Sequence, residues 1–118
     1  APQQGTRAAR GDKRILQTEW REESLMIAQT IKQHAEARGM TTIQFAVGWV
    51  LNNRFLTAAI AGPRTLEQWQ AYLAALDITF TPEDEALIDR LVPAGHPSTP
   101  GYSDPAYPIE GRPTRTAA

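Results

Sequence analysis

TTIQFAVGWVLNNRFLTAAIAGPRTLEQWQAYLAAL, residues 41–76, reads as helix, short strand, glycine-containing turn and helix. Thr41 and Gln44 form an N-terminal box: the threonine oxygen accepts from the Gln44 backbone N–H, and the glutamine reaches back. The apolar residues Phe45, Ala46, Val47, Trp49, Val50 and Leu51 follow, and Asn52-Asn53 breaks the helix. FLTAAIA, residues 55–61, is short, apolar and partly β-branched, as a buried strand is. Gly62-Pro63 ends it, and Thr65 opens a second boxed helix with Gln68 three residues on.

A strand feeding a turn that opens a helix has a chemical use. The first helical N–H groups lack internal partners and lie at the positive end of the macrodipole, where an anion can sit. Arg64 adds a planar cation suited to bidentate phosphate contacts. Gly62-Pro63-Arg64-Thr65 is therefore a candidate phosphate site. The competing reading is a turn that binds nothing, with Arg64 as a solvated surface charge. The turn lacks a full glycine-rich fingerprint, so the residues alone leave both readings open.

The pattern TTIQFAVGWVLNN, LTAAIAGPRTLEQWQAYLAALD and TPEDEALIDRLVP resembles the C-terminal part of an aldo-keto reductase, over roughly residues 1–92. The resemblance implies a (β/α)8 barrel and NADPH. It places the last barrel strand at 55–61, with the adenosine 2′-phosphate on Gly62, Pro63 and Arg64 and with Gln68 one turn later on the same side. Where the family often has Glu-Asn for the adenine, this chain has Ala71-Tyr72, and Tyr72 is the residue that could stack on a base. The family's catalytic Asp, Tyr, Lys and His have no matching motif here, so no catalytic residue is assigned. A barrel also needs about 250 residues. The expectation is a C-terminal fragment, mainly α as an isolated chain, that begins in the loop after the seventh barrel strand. As this chain alone it should reduce no carbonyl.

Net charge is −1, which suggests neither nucleic acid nor an acidic membrane surface as a partner. Without cysteine there are no disulfide staples or thiolate metal sites. No apolar run reaches the roughly 20 residues of a membrane span, and the first residues do not resemble a signal peptide, so a cytoplasmic protein is the default expectation.

The chain is expected to form one partial domain in three parts. Residues 1–17, with basic side chains at 7, 10, 13 and 14, read as a flexible loop. The resemblance places that loop near the cofactor pyrophosphate. Residues 18–92 form the core. Thr18 is read as the cap of a helix running to Arg38, with Ser24, Ile27, Ala28, Ile31 and Ala35 as its buried stripe, Lys32, Glu36 and Arg38 in water, and Gly39 just past its end. His34 has no partner in sequence and reads as a surface or half-buried residue. Trp49 reads as core and Trp69 as an edge residue. Thr81-Pro82 starts a last helix, packed through Leu87, Ile88 and Leu91, on which Glu83, Asp84, Glu85 and Asp89 read as a solvated face rather than a metal site. Residues 93–118 read as loop and tail. There Tyr102 and Tyr107 either wall the substrate pocket, as the family's C-terminal loop does, or pin the tail.

Two functions follow. One is the cofactor-binding part of an NADPH-dependent carbonyl reductase, with the nicotinamide cofactor and a small carbonyl substrate as partners. The other is a non-enzymatic helical module that self-associates, or docks on a partner such as the N-terminal part of a barrel. The backbone of 55–61 has no partner strand within the chain, so the chain should either assemble or give up the strand.

Overall fold

Most of the helices start where a side-chain oxygen is available for their first free N–H groups. In the computed structural model, which describes residues 1–104, 106–107 and 112–115, the Asp12 carboxylate accepts from the Arg14 and Ile15 N–H groups and opens α1, Lys13–Thr18. The Thr41–Gln44 box opens α3, Thr42–Leu51. Thr65 opens α4, Leu66–Leu73, which continues into a 3-10 turn at Ala74–Asp77. A Thr81–Asp84 box with Pro82 in the first turn opens α5, Pro82–Leu91. The exception is α2, Glu22–Ala37, which has no side-chain cap but carries Glu22 and Glu23 against the positive end of its dipole.

The end of α2 is equally specified. Gly39 takes φ 73, a left-handed conformation that only glycine adopts without strain. Its N–H donates to Glu36 O and the Met40 N–H to Ala35 O, which is the paired-bond ending of a Schellman motif. That turn delivers Met40 into the core, where it is buried with Ala35, Phe45 and Phe80. Ile31, Trp49, Ile78, Leu87 and Ile88 pack around these four. The core thus joins α2, α3, α5 and the segment after the 3-10 turn.

The mainly helical expectation holds. The four main helices lie within a few residues of where the pattern places them, and the described residues contain no strand. Three expectations need correction. The first is the strand at 55–61. A strand exists through ladder bonds to a neighbour, and the described chain brings only a single antiparallel bridge, Asn53 with Thr114, to the near end of this segment. The segment runs as irregular coil, with Phe55 83% and Ile60 105% exposed.

The second correction concerns Thr18, which ends α1 instead of capping α2. A distant loop sits at the junction. Thr99 Oγ1 donates to Thr18 O, Arg21 Nη1 donates to Ser98 O, and Ser24 Oγ lies 3.0 Å from Ser98 Oγ. Residues read as flexible loop, 1–17, therefore include a 3-10 turn at Ala8–Arg10 and most of α1. Along α2 the stripe is half-buried to buried except at Ala28, which is exposed.

The third is the tail. Residues 112–115 form a strap across the end of α3. The Arg54 N–H donates to Pro113 O, the Arg115 N–H to Asn52 O, and the Arg115 guanidinium to Leu51 O and Leu56 O. Arg112 stacks 4.1 Å from the Trp49 ring centroid. Tyr107 is 80% exposed, so it pins nothing.

Candidate functional site

The turn into α4 carries the candidate cofactor residues. Gly62, Arg64, Thr65 and Gln68 are exposed, and Pro63 and Tyr72 are half-buried. Thr65 Oγ1 accepts from the Gln68 N–H at 3.2 Å. The Gln68 side chain closes the turn from the other side, because its Oε1 accepts from the Arg64 N–H at 2.7 Å. One backbone donor that an anion could have used is therefore occupied. Glu67, in the first turn, already answers part of the helix dipole. The Arg64 guanidinium is still available to an anion, since among the described residues it makes no ion pair or hydrogen bond. Gln68 and Tyr72 stand four residues apart on α4, a spacing that puts them on one face. The turn thus offers a cation without a partner among the described residues, and α4 carries the half-buried Tyr72 ring.

A second constellation lies in the core, and the pattern of the sequence does not announce it. Asp84 is fully buried. Its Oδ1 accepts from His34 Nε2 at 2.6 Å; its Oδ2 accepts from Arg38 Nη1 and from the Thr81 N–H. Arg38 Nη2 also donates to Thr79 O at 3.3 Å, and His34 packs edge-on against Phe45. Beside it, Glu85 Oε1 accepts from Asn52 Nδ2 at 2.7 Å and from Arg112 Nη2 at 2.6 Å. The solvated face expected at 83–89 is thus wrong at Asp84, which is buried, and at Glu85, which is half-buried; Arg38 is exposed as expected, while its guanidinium also reaches Asp84. The reason is long-range. The partners of Asp84 are 46 and 50 residues away, and no local spacing reveals them. Glu83 and Asp89 do stay in solvent. The Glu83 carboxyl is held below the usual range by a backbone hydrogen bond, then by the Thr81 hydroxyl, and also by the Arg38 charge. Among the described residues no cluster of His, Cys, Asp or Glu could hold a metal ion.

The sequence has relatives. Residues 2–93 match the aldo/keto reductase family. The chain belongs to that family. Membership implies that these helices are part of a (β/α)8 barrel, and the family typically uses NAD(P)H with carbonyl substrates. The uncharacterized oxidoreductase YrpG of Bacillus subtilis (strain 168) is 38% identical over 55 residues, 47% of this chain but only 17% of that protein. No solved structure matches the chain. No helix among the described residues is long and apolar enough to cross a membrane.

Proposed function

We propose that this chain is the part of an NADPH-dependent aldo/keto reductase that recognises the adenosine 2′-phosphate. The observation that carries the reading is the Arg64 guanidinium, held at the mouth of α4 with no other partner among the described residues, in a chain of this family. Arg64 contacts the phosphate. Thr65 and Gln68 fix the turn that presents Arg64, through the two bonds at 3.2 and 2.7 Å. Gly62 and Pro63 shape the approach, and Tyr72 lies along the face the adenine follows. The bound cofactor would supply the hydride for reduction of a small aldehyde or ketone. None of the residues named here supplies the proton for that reduction.

The test is a titration of the 118-residue chain and its Arg64→Ala variant with NADPH and NADH. A charge-assisted contact at an exposed site is worth enough to weaken NADPH roughly tenfold on its removal. NADH, which lacks the phosphate, should bind both proteins alike, and the NADPH preference of the parent should shrink as salt rises. Equal losses for both cofactors, or none, would remove Arg64 from phosphate recognition.

A second reading has its own observation. Phe55, Ile60, Leu66 and Leu76 are each at least 67% exposed. This favours assembly that buries these side chains, with a second copy or with the remainder of a barrel. The measurement that separates it is mass in solution.

A further inference from the structure

The extended backbone that follows α3 is open to pairing along 57–61, where among the described residues it makes no hydrogen bond. An open edge is a template for any strand that reaches it. Its near end is closed by the chain itself. The Arg54 N–H donates to Pro113 O at 2.9 Å, and the Arg115 N–H donates to Asn52 O at 2.8 Å. These two bonds flank the antiparallel bridge between Asn53 and Thr114. The Arg115 side chain donates from Nε to Leu51 O at 3.1 Å and from Nη2 to Leu56 O at 2.8 Å. The strap thus takes the donor of Arg54 and the acceptors of Leu51, Asn52 and Leu56, all at the entrance to the open edge.

The residues of the strap suit a guard better than a strand. Pro113 has no N–H, so the strap does not carry pairing onward to a further strand. Arg112 and Arg115 set a cation on either side of the bridge, and charge on an edge disfavours pairing. The hold is made by side chains. Arg112 Nη2 donates to Glu85 Oε1 at 2.6 Å, the same oxygen that accepts from Asn52 Nδ2, and the Arg112 guanidinium stacks on Trp49.

We propose that the 112–115 strap is an intramolecular guard: it competes with a second copy of this chain for the backbone groups at the start of the open edge, and so sets the concentration at which the chain assembles. The inference rests on the reading that the chain assembles by burying the exposed side chains of this region. Where strap and second copy exclude each other, the observed affinity is the intrinsic affinity reduced by the fraction of copies whose strap is released. Release of the strap and strength of assembly must therefore move together.

The experiment compares the full 118-residue chain with its Arg112→Gln, Arg115→Gln and Arg115→Pro variants. In dilute solution, hydrogen exchange at the Arg54 amide reports release of the strap. Each variant should speed that exchange roughly tenfold, the value of one charge-assisted hydrogen bond. Sedimentation equilibrium should show the dissociation constant of the assembly lowered by at least the same factor. Arg90→Gln, which removes an exposed cation from α5 and leaves the strap intact, should change neither. Faster exchange with unchanged assembly overturns the guard and leaves the assembly reading standing. A parent and variants that stay monomeric at every concentration overturn both. Unchanged exchange in all three variants also overturns the guard, because the named bonds would not be holding the strap. Positions 112 and 115 lie outside the buried core, so the variants should keep their helical circular dichroism. If the proline variant loses it, the two glutamine variants decide.

Discussion

At the residue scale Asp84 decides more than any spacing suggests. It is a carboxylate with no access to water, and both of its oxygens are taken by protein donors. Removing one member of such a buried set is worse than never having had it, because the partners stay behind uncompensated. Here His34 and Arg38 side chains are 27% and 31% exposed, so water relieves part of the loss. Asp84→Ala should therefore lower unfolding free energy by about 2–4 kcal/mol. Asp84→Asn keeps the acceptor for the Thr81 N–H and should lose about half as much. Urea denaturation of the three proteins checks the order. An alanine variant with an unchanged midpoint would mean that the cluster is incidental to stability.

At the scale of elements, start signals were the most readable part of the chain, because they depend on side chains three residues apart. Thr41 with Gln44, Thr65 with Gln68, and Thr81-Pro82 all open helices where their spacing says so. The candidate phosphate turn was readable for the same reason, although the use of Gln68 on the Arg64 N–H was not. What local spacing could not carry was anything decided by a distant segment: the split between α1 and α2 under Ser98 and Thr99, the burial of Asp84, and the strap at 112–115. Gly48 shows how close the elements come. A Cβ on it would stand 2.6 Å from Ile78 Cδ1 and 3.3 Å from Phe80 Cδ2, so α3 packs on the segment before α5 closely enough that a methyl group fits only if the end of the Ile78 side chain moves. Alanine gains roughly 1 kcal/mol in helix propensity over glycine, while overpacking a core loses about 1–3. Gly48→Ala should be net destabilising by about 1 kcal/mol. In an Ile78→Val background, which deletes the clashing carbon, the penalty of the same change should disappear or reverse toward the helix-propensity gain. Thermal melts of the four proteins complete the cycle, and a penalty that persists without Ile78 Cδ1 would place the strain elsewhere.

At the scale of the whole molecule the helices close a core while leaving one flank open. FLTAAIA has the composition of a buried strand, and composition is all that a single sequence offers; the ladder that makes a strand belongs to the neighbour. Without one among the described residues, the segment keeps its apolar side chains in water and its backbone without a ladder. Phe55 and Ile60 are exposed on this segment, and Leu66 is exposed on α4. Burying apolar surface contributes about 25 cal/mol per Å², and backbone groups of an open edge add a template for pairing. Both favour contact with a second copy whenever nothing else covers the flank. Sedimentation of the 118-residue chain should therefore show a mass that rises above the monomer with concentration. Phe55→Asp combined with Ile60→Asp should hold it at the monomer. Neither side chain belongs to the core of Ala35, Met40, Phe45 and Phe80, so the double variant should keep its helical circular dichroism. A parent that stays monomeric at all concentrations, or a double variant that assembles as readily, would show that this flank is not a contact surface.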